Sequence, residues 1–237
     1  MQLTLTVREK RQETPTVTSL IFDKPEGIPH KAGQFFSWMF PCEKDERGNS
    51  RSFSIASSPT EDYILLTTRI GPSRVKQFIK NEAAGGTQVK VIGPLGRFIL
   101  DDTDLPIAFI VGGVGITPLR SMIKYLIDTK SVRPITLIYS NPTPDEICFQ
   151  KELDEWSSTH PSFTVVHTIT RLDPGNTQWK GKTGRINEEL VKEYVHDLNT
   201  TQFYTSGPPL MVKTIVDLLH TMQVPPELVH AESFSGY

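Results

Sequence analysis

The chain has 237 residues, of which 37% are hydrophobic and 22% are charged, and its formal net charge at pH 7 is −2. This is a globular composition, long enough for one large domain or two ordinary ones with a proper core. Without an excess of positive charge the sequence does not support nucleic acid or an anionic membrane as partner, so any acidic ligand must be held by local groups.

The cysteines and histidines give no sign of a metal site. Cys42 and Cys148 lie far apart without a CxxC spacing, so neither a disulfide framework nor a zinc or iron-sulfur site is supported. The 6 histidines show no metal-ligand spacing. The first residues lack a signal-peptide pattern, and no apolar run reaches membrane-spanning length. We therefore expect a cytoplasmic protein without bound metal or membrane insertion.

Up to about residue 103 the chain alternates short strand-like stretches with Pro and Gly turns. Six stretches are rich in β-branched and aromatic residues: LTLTVREK, TVTSLIFD, QFFSWMF, RSFSIAS, YILLTTRI and TQVKVIG. They predict a small antiparallel barrel. In SRVKQFIKN, Val75, Phe78 and Ile79 repeat at helical spacing and predict one helix. The polar stretch CEKDERGNS indicates a solvated hairpin rather than a site.

From Leu105 onward, apolar strands alternate with amphipathic helices. This alternation predicts a parallel sheet with helices on both faces. Ligands of such sheets bind at the carboxyl ends of the strands. The acidic, turn-forming segment from Asp101 to Asp104 marks the boundary, which gives domains of residues 1–103 and 104–237.

The stretch IAFIVGGVGITPLRSMIKYLI predicts a strand, a glycine turn and a helix. Thr117 suits the N-cap of this helix and Pro118 its first position. Gly113 and Gly115 let backbone N–H groups approach an anion such as a pyrophosphate. A purely structural turn remains the alternative, because Pro118 replaces the third glycine of GxGxxG. The next strand ends in IYSNP without an acidic residue for a ribose hydroxyl, which removes an obstacle to a 2′-phosphate.

Eight motifs follow one another along the chain: AGQFF, RSFS, TTRIGPSRVKQFI, GPLGRFIL, GGVGITP, TITR, TSGPPLM and ESFSGY. In this order they resemble the ferredoxin-NADP reductase-like flavoproteins over essentially the whole chain. The resemblance implies a two-domain protein, in which an antiparallel β-barrel that binds flavin precedes an α/β parallel-sheet domain that binds pyridine nucleotide. It implies FAD as the cofactor and NADPH or NADH as the electron donor, with NADPH favoured.

In the barrel, the resemblance assigns Arg51 to a flavin phosphate, Phe53 to the ribityl chain and ring, and Ser54 to the region of flavin N5. Phe53 stands where the family usually has tyrosine. The lost hydroxyl contact should weaken flavin retention by about 0.5–1.5 kcal/mol. The other residues that the resemblance implies for FAD are Thr67, Arg69, Ser73 and Tyr237. For Arg69 a surface ion pair remains the alternative, and for Lys76 a position on a solvated helix face.

In the second domain, the resemblance places the nucleotide pyrophosphate on the glycine turn and the 2′-phosphate on Thr170 and Arg171. For this last segment an exposed charged loop remains the alternative. The residues implied for NAD(P) are Gly113, Gly115, Thr117, Pro118, Thr170, Arg171, Gly207 and Pro208. Those implied for catalysis are Ser54, Ser206, Glu232 and Tyr237. Ser206 replaces the family's usual cysteine, and Tyr237 would cover the flavin ring where nicotinamide stacks.

The implied activity is that of a flavin-dependent NAD(P)H oxidoreductase. Hydride passes from nicotinamide to FAD N5, and electrons continue to an unidentified acceptor, either a ferredoxin- or flavodoxin-type protein or a small molecule. Two alternatives remain. One is an electron-transfer subunit of a larger complex, and the other is a free-flavin or ferric reductase from which flavin dissociates readily.

Overall fold

Two six-stranded sheets form the framework of the protein. The computed structural model describes residues 1–234 of the chain. The chain divides into two compact units, one made of residues 1–100 and 117–129, the other of residues 101–116 and those from 130 onward. The predicted domain boundary after residue 103 stays a prediction.

The first sheet is antiparallel, with strand order β4-β3-β6-β1-β2-β5. Its strands are β1 (Gln2–Thr14), β2 (Val17–Asp23), β3 (Phe35–Met39), β4 (Ser50–Ser54), β5 (Tyr63–Arg69) and β6 (Gln88–Leu95). Just after β4, the Ala56 N–H donates to the Leu65 carbonyl of β5 at 2.8 Å. This bond joins the two edges of the sheet, so the sheet has the form of the barrel that the sequence predicts.

The barrel interior is filled by apolar side chains from alternating strand positions. Along β6, exposed and buried residues alternate over its first six positions. Helix α1 (Arg74–Asn81) adds Val75, Phe78 and Ile79 to the same core. Burying side chains of this size stabilises the fold by about 1.5–3 kcal/mol each. The helical spacing seen in the sequence therefore marks the face of α1 that enters the barrel.

The second sheet is entirely parallel, with strand order β10-β9-β8-β7-β11-β12. Its strands are β7 (Ile107–Gly112), β8 (Ile135–Asn141), β9 (Phe163–Ile169), β10 (Lys182–Thr183), β11 (Gln202–Gly207) and β12 (Val229–Ser233). All residues of β7 and β11 are buried, as expected when both faces of a sheet are covered. From β7 the order runs through β8 to one edge and through β11 to the other, so the switch point lies between β7 and β11.

Four further helices follow strands of this sheet: α2 (Ile116–Asp128), α3 (Gln150–Thr159), α4 (Glu188–Tyr194) and α5 (Pro209–Thr221). On α5, Val212, Ile215 and Leu219 are buried in a core that includes Phe203 of β11. Helix α4 begins after Asn187, whose side chain accepts a hydrogen bond from the N–H of Leu190 at 3.0 Å.

The body of α2 belongs to the same unit as the barrel and is tied to it by a buried ion pair. Arg120 is 1% exposed and donates to both carboxylate oxygens of Glu61, at 2.8 and 3.0 Å. It also donates to the Ala56 carbonyl at 2.9 Å. Burial raises the pKa of Glu61, but the hydrogen bond and charge of Arg120 outweigh it and leave the pKa below its ordinary value.

The predicted fold class is confirmed: an antiparallel barrel precedes an α/β unit with a parallel sheet. All six barrel strands and the helix of SRVKQFIKN are present. The short strand β10 was not predicted, since its two residues lie in a segment with the composition of an exposed loop. Helix α2 begins at Ile116, so Thr117 and Pro118 lie within its first turn. The cause is a 3-10 turn, Gly113–Gly115, that continues directly into the helix.

Candidate functional site

The carboxyl edge of the parallel sheet collects most of the residues predicted for the pyridine nucleotide. β7 ends at the glycine turn, β8 at Asn141, β9 just before Thr170, and β11 at Gly207. Because parallel strands end at the same edge, these residues lie along one side of the sheet. This is also the side on which α/β sheets bind their ligands.

The glycine turn is held closely against β11 and β8. Gly113 has φ +53°, a left-handed conformation that favours glycine. A Cβ on Gly115 would lie 2.3 Å from the Ser206 carbonyl oxygen, so no side chain fits there. The Gly113 carbonyl accepts a hydrogen bond from the Tyr139 hydroxyl at 2.9 Å. The turn therefore has a fixed shape that depends on the absence of side chains.

Ser206, predicted to lie near the nicotinamide, is fully buried and its hydroxyl donates to the Gly115 carbonyl at 2.7 Å. On the neighbouring strand β12, Glu232 lies directly opposite Ser206. Burial raises the pKa of Glu232 to about 7. A carboxyl group with this pKa exchanges its proton near neutral pH, which is a common property of functional sites.

Asn141 is a buried polar residue that the sequence did not single out and that lies beside the residues predicted for the nucleotide. It is 1% exposed, and neither its side-chain oxygen nor its side-chain nitrogen has a hydrogen-bond partner within residues 1–234. Leaving such a group buried and unpaired costs about 1–3 kcal/mol. Its backbone carbonyl accepts from the Thr170 N–H at 3.0 Å, so Asn141 adjoins the predicted nucleotide segment. The sequence signal was an asparagine at the end of the apolar strand ITLIYSN.

The remaining residues predicted for the nucleotide lie just beyond the ends of β9 and β11. Thr170 and Arg171 are exposed just beyond β9, where the Arg171 N–H donates to the Pro142 carbonyl at 2.8 Å. Pro208 follows Gly207 and precedes α5. Tyr237, predicted to cover the flavin ring, lies outside the described residues.

In the barrel unit, strand β4 carries the first predicted flavin residues. Arg51 and Phe53 alternate with Ser52 along β4 and so share a face, whereas Ser54 is buried at 7% exposure. The Phe53 ring is half-buried and meets the Phe40 ring edge-on, with centroids 6.3 Å apart. Its planar surface is therefore supported from behind by the barrel core.

The other predicted flavin residues lie on β5 and at the start of α1. The Thr67 hydroxyl is within 2.6 Å of the Ser19 hydroxyl on β2 and is buried. Arg69 donates to the Thr16 hydroxyl at 2.7 Å. Ser73 is the N-cap of α1, and its side chain accepts a hydrogen bond from the backbone N–H three residues later. A helix start of this kind favours a bound anion.

The hairpin CEKDERGNS was predicted to be solvated rather than a site, but one of its residues contacts Arg51 and the start of α1. The space between Arg51 and the start of α1 is called the candidate phosphate pocket below. Asp45 forms a two-oxygen contact with Arg51 Nη2, at 2.7 and 2.5 Å. Its Oδ2 also accepts from the backbone N–H of Arg74, the first residue of α1, at 3.1 Å. The hydrogen bond from Arg51 lowers the pKa of Asp45 below its ordinary value. Arg51 and the N–H of Arg74 thus together bind one carboxylate, that of Asp45.

Positive charge is concentrated around this pocket. A solvated position was the alternative for Lys76. Its side chain packs against Gly71, and its Cδ would lie 3.3 Å from a Cβ added at Gly71. Burial lowers the pKa of Lys76, and the charges of Arg47, Arg69 and Arg51 lower it further. These side chains and the start of α1 together fit the chemistry of a flavin phosphate or pyrophosphate.

The described residues also bear on two other kinds of function. Among the helices of residues 1–234, none is long and apolar enough to cross a membrane. Within the same range, no group of three or more His, Cys, Asp and Glu side chains is arranged to hold a metal ion.

Comparison with known proteins identifies relatives of both units. The family model of the oxidoreductase NAD-binding domain matches residues 109–217. The chain is 29% identical over 230 residues to the reductase subunit of glycine betaine monooxygenase from Chromohalobacter salexigens, a match that covers 95% of the chain and 62% of the relative. It is 27% identical over 241 residues to a flavohemoprotein from Halalkalibacterium halodurans, covering 96% and 58%. The chain thus spans about three fifths of the length of these relatives.

Solved structures share the fold over the whole chain. An Amycolatopsis cytochrome P450 reductase has a TM-score of 0.87 at 23% identity and covers 100% of this chain and 70% of its own. A ferredoxin NADP+ reductase from Neisseria gonorrhoeae, solved with bound FAD and NADP, has a TM-score of 0.80 at 21% identity and covers 98% of both chains. Residues 109–217 are therefore those of an oxidoreductase NAD-binding domain, and the chain as a whole is similar to these reductases and shares their fold.

Proposed function

We propose that the chain is a flavin-dependent NAD(P)H oxidoreductase that passes electrons from a reduced pyridine nucleotide through FAD to an acceptor. One observation supports this proposal most directly. In the barrel unit, Arg51 and the backbone N–H of Arg74, the first residue of α1, both donate to the carboxylate of Asp45. Donors that bind one anion in this geometry are suited to a phosphate group of a flavin.

Bound FAD would supply the redox chemistry, accepting hydride at N5 and releasing electrons to the acceptor. The chain would bind and orient it. Arg51 and the start of α1, capped by Ser73, would hold its phosphates. The supported ring of Phe53 offers a flat apolar surface, and Ser54 a hydroxyl for the N5 region. Thr67 and Arg69, both on β5, would also contact the FAD.

The pyridine nucleotide would bind at the carboxyl edge of the parallel sheet. The turn of Gly113 and Gly115 lets backbone N–H groups come close to a pyrophosphate. We assign to the same nucleotide Thr117 and Pro118, which follow the turn in the chain, and Gly207 and Pro208, which follow β11. We propose NADPH as the preferred donor, with its 2′-phosphate recognised by Thr170 and Arg171. The buried amide of Asn141 would gain its missing hydrogen bonds from the nucleotide. NADH remains the competing donor.

Glu232 would accept and release protons at the carboxyl edge of the parallel sheet. Ser206, opposite it, would hold the glycine turn through its hydrogen bond to the Gly115 carbonyl. The Glu232 pKa of about 7 means that this carboxyl group can hold or release a proton at neutral pH. The terminal Tyr237 remains our proposed cover for the flavin ring.

A second candidate function is that of an electron-transfer subunit within a larger assembly. It is favoured by the names of two relatives, the glycine betaine monooxygenase reductase subunit and, from Pasteurella multocida, a subunit of a Na+-translocating NADH-quinone reductase. The acceptor would then be a redox protein or domain. The cytoplasmic location expected from the sequence stays a prediction.

The test is anaerobic stopped-flow mixing of the FAD-loaded chain with NADPH and with NADH in parallel. The proposal expects rapid bleaching of the flavin absorbance with at least one donor, followed by turnover when a small acceptor such as ferricyanide is added. A chain that binds no flavin and shows no bleaching would refute it. Bleaching that requires a copurifying partner would instead favour the subunit function.

The donor preference has its own variant. Replacing Arg171 by Ala removes the charged fork proposed for the 2′-phosphate. We expect the ratio of NADPH to NADH reduction rates to fall at least several-fold, with the NADH rate little changed. Lys180→Ala, in the same exposed loop, is the matched control. An unchanged ratio in Arg171→Ala would reject the assignment.

A further inference from the structure

Asp45 contacts both Arg51 and the start of α1, the two groups proposed above to hold a flavin phosphate. Its carboxylate receives Arg51 Nη2 on both oxygens, at 2.7 and 2.5 Å, and the N–H of Arg74 at 3.1 Å. We propose that Asp45 is an internal competitor of the flavin phosphate, which must leave Arg51 and α1 before the phosphate can bind. This inference rests on the proposed function, because it concerns the flavin site of the barrel unit.

The carboxylate of Asp45 is chemically similar to a phosphate group. A carboxylate and a phosphate both present oxygens with negative charge to a planar guanidinium, and both accept hydrogen bonds from N–H groups at a helix start. Asp45 uses both kinds of donor at once, because Oδ2 bridges Arg51 Nη2 and the N–H of Arg74. It therefore occupies the positions of phosphate oxygens rather than forming an ordinary surface ion pair.

The other terminal nitrogen of the Arg51 guanidinium, Nη1, is held by backbone carbonyls. Nη1 donates to the backbone carbonyls of Arg47, Gly48 and Ser50, at 3.1, 3.1 and 2.8 Å. These bonds hold the plane of the guanidinium and direct Nη2 toward Asp45. A phosphate that approaches Nη2 and the start of α1 must consequently compete with the carboxylate for the same two donors.

Asp45 can be displaced without opening the core of the barrel. It belongs to a hairpin whose own ties are local, with the Gly48 N–H on the Asp45 carbonyl at 2.8 Å and the Arg47 N–H on Oδ1 at 2.9 Å. Its neighbours Lys44 and Glu46 are exposed. The Asp45 side chain is 23% exposed in its pair with Arg51.

Other positive side chains lie around the pair of Asp45 and Arg51. Lys76 is near enough to Arg51, Arg69 and Arg47 for their charges to act on it. A single carboxylate neutralises only part of this positive charge, whereas a pyrophosphate carries more negative charge. In the flavin-free protein, Arg51 and the start of α1 are thus occupied by the Asp45 carboxylate, which is the weaker of the two competing anions. Competition of this kind multiplies the apparent dissociation constant by the reciprocal of the fraction of open pockets.

The consequence is a flavin that dissociates more readily than the donors around Arg51 would otherwise allow. Asp45→Asn keeps an oxygen acceptor for the local turn but removes the charge that competes for Arg51. We expect this variant to bind FAD and FMN roughly 3- to 10-fold more tightly, as the closed fraction of pockets falls. Riboflavin has no phosphate, so its dissociation constant should stay the same.

The experiment titrates flavin-free protein with FAD, FMN and riboflavin and follows flavin fluorescence, so that the readout is binding and not turnover. Glu46→Gln is the matched control, because it removes one negative charge from the next, exposed residue of the same hairpin. Inorganic pyrophosphate, followed by calorimetry, is a fourth probe that contains no flavin. Circular dichroism and the melting temperature verify that each variant is folded.

Tighter FAD, FMN and pyrophosphate binding by Asp45→Asn alone supports the inference. Equal or weaker binding of these three ligands, or an equal gain in Glu46→Gln, overturns it. A gain for riboflavin as large as that for FAD also overturns it, because the phosphate is then not involved. If no variant binds any flavin while pyrophosphate binding still tightens in Asp45→Asn, the proposed function fails and Asp45 remains a competitor for phosphate at this pocket.

Discussion

At the scale of single residues, strand β4, which we propose binds the flavin, differs from the pattern of the similar flavoproteins by one missing hydroxyl. Phe53 keeps a half-buried ring that packs against Phe40, but it lacks the hydroxyl of the usual tyrosine. Restoring that hydroxyl in Phe53→Tyr should add about one net hydrogen bond, worth about 0.5–1.5 kcal/mol. We expect the FAD dissociation constant to fall by roughly 2- to 12-fold in a fluorescence titration.

The matched control for Phe53→Tyr is Phe40→Tyr, because Phe40 is 1% exposed and lies behind Phe53 in the core. A hydroxyl there would be buried without gaining a contact to the cofactor, so it should lower stability without tightening FAD. Unchanged FAD affinity in Phe53→Tyr would mean that the ring at this position does not reach the cofactor.

Asn141 is a residue for which stability and function should change in opposite directions. Asn141→Leu replaces a buried, unpaired amide with an apolar side chain of similar size, which removes a cost of about 1–3 kcal/mol. The nucleotide-free variant should therefore melt at a higher temperature. It should also bind NADPH and NADH more weakly, because the proposed hydrogen bonds are lost. A variant that melts lower and binds both nucleotides normally would contradict this assignment.

At the scale of secondary-structure elements, the glycine turn between β7 and α2 depends on a close backbone contact. In Gly115→Ala the new methyl group would lie 2.3 Å from the Ser206 carbonyl oxygen and 2.9 Å from Gly207 Cα. Both neighbours are backbone atoms, so the strand or the turn must shift. We expect a loss of about 1–3 kcal/mol in the free energy of unfolding, as in other overpacked sites, and weaker nucleotide binding.

Gly175→Ala is the control for that substitution. Its added methyl group would meet only the Asp173 side chain, at an ordinary 3.4 Å. Chemical denaturation of both variants and nucleotide titration give the comparison. Equal stability of Gly115→Ala and the unmodified chain would show that the turn tolerates a side chain and has no fixed geometry.

The elements were predictable from the sequence where periodicity and composition act locally. The apolar residues of β6 alternate because only one face of that strand is buried. Those of β7 form a continuous run because both of its faces are buried. The contacts of Asp45 and the isolation of Asn141 could not be predicted in this way. Both depend on which distant residues meet, and the hairpin of Asp45 has the same polar composition as any exposed turn.

At the scale of the whole molecule, the buried His30 and the half-buried Glu232 make stability depend on pH in opposite senses. Burial, reinforced by the charge of Lys24, lowers the pKa of His30 in the barrel unit from 6.5 to about 4. The unfolded chain therefore binds more protons than the folded one between these values. His30 contributes stability that is present above pH 6.5 and is lost as pH falls toward 4, up to about 3 kcal/mol.

Glu232, in the other unit, acts in the reverse direction. Its pKa rises from 4.5 to about 7 on folding, because burial disfavours the charged carboxylate. The folded chain then holds the proton that the unfolded chain has released. Stability from this group is full below pH 4.5 and declines as pH rises toward 7, by up to about 3 kcal/mol.

The two effects nearly cancel between pH 4.5 and 6.5 in the whole chain, so variants are needed to separate them. Glu232→Gln removes the decline, and its free energy of unfolding should therefore rise with pH across this range. His30→Gln removes the rise, so its stability should fall as pH increases. Urea unfolding at several pH values, followed by tryptophan fluorescence, measures both slopes. Identical pH dependence in the two variants would show that neither group titrates on unfolding as its burial implies.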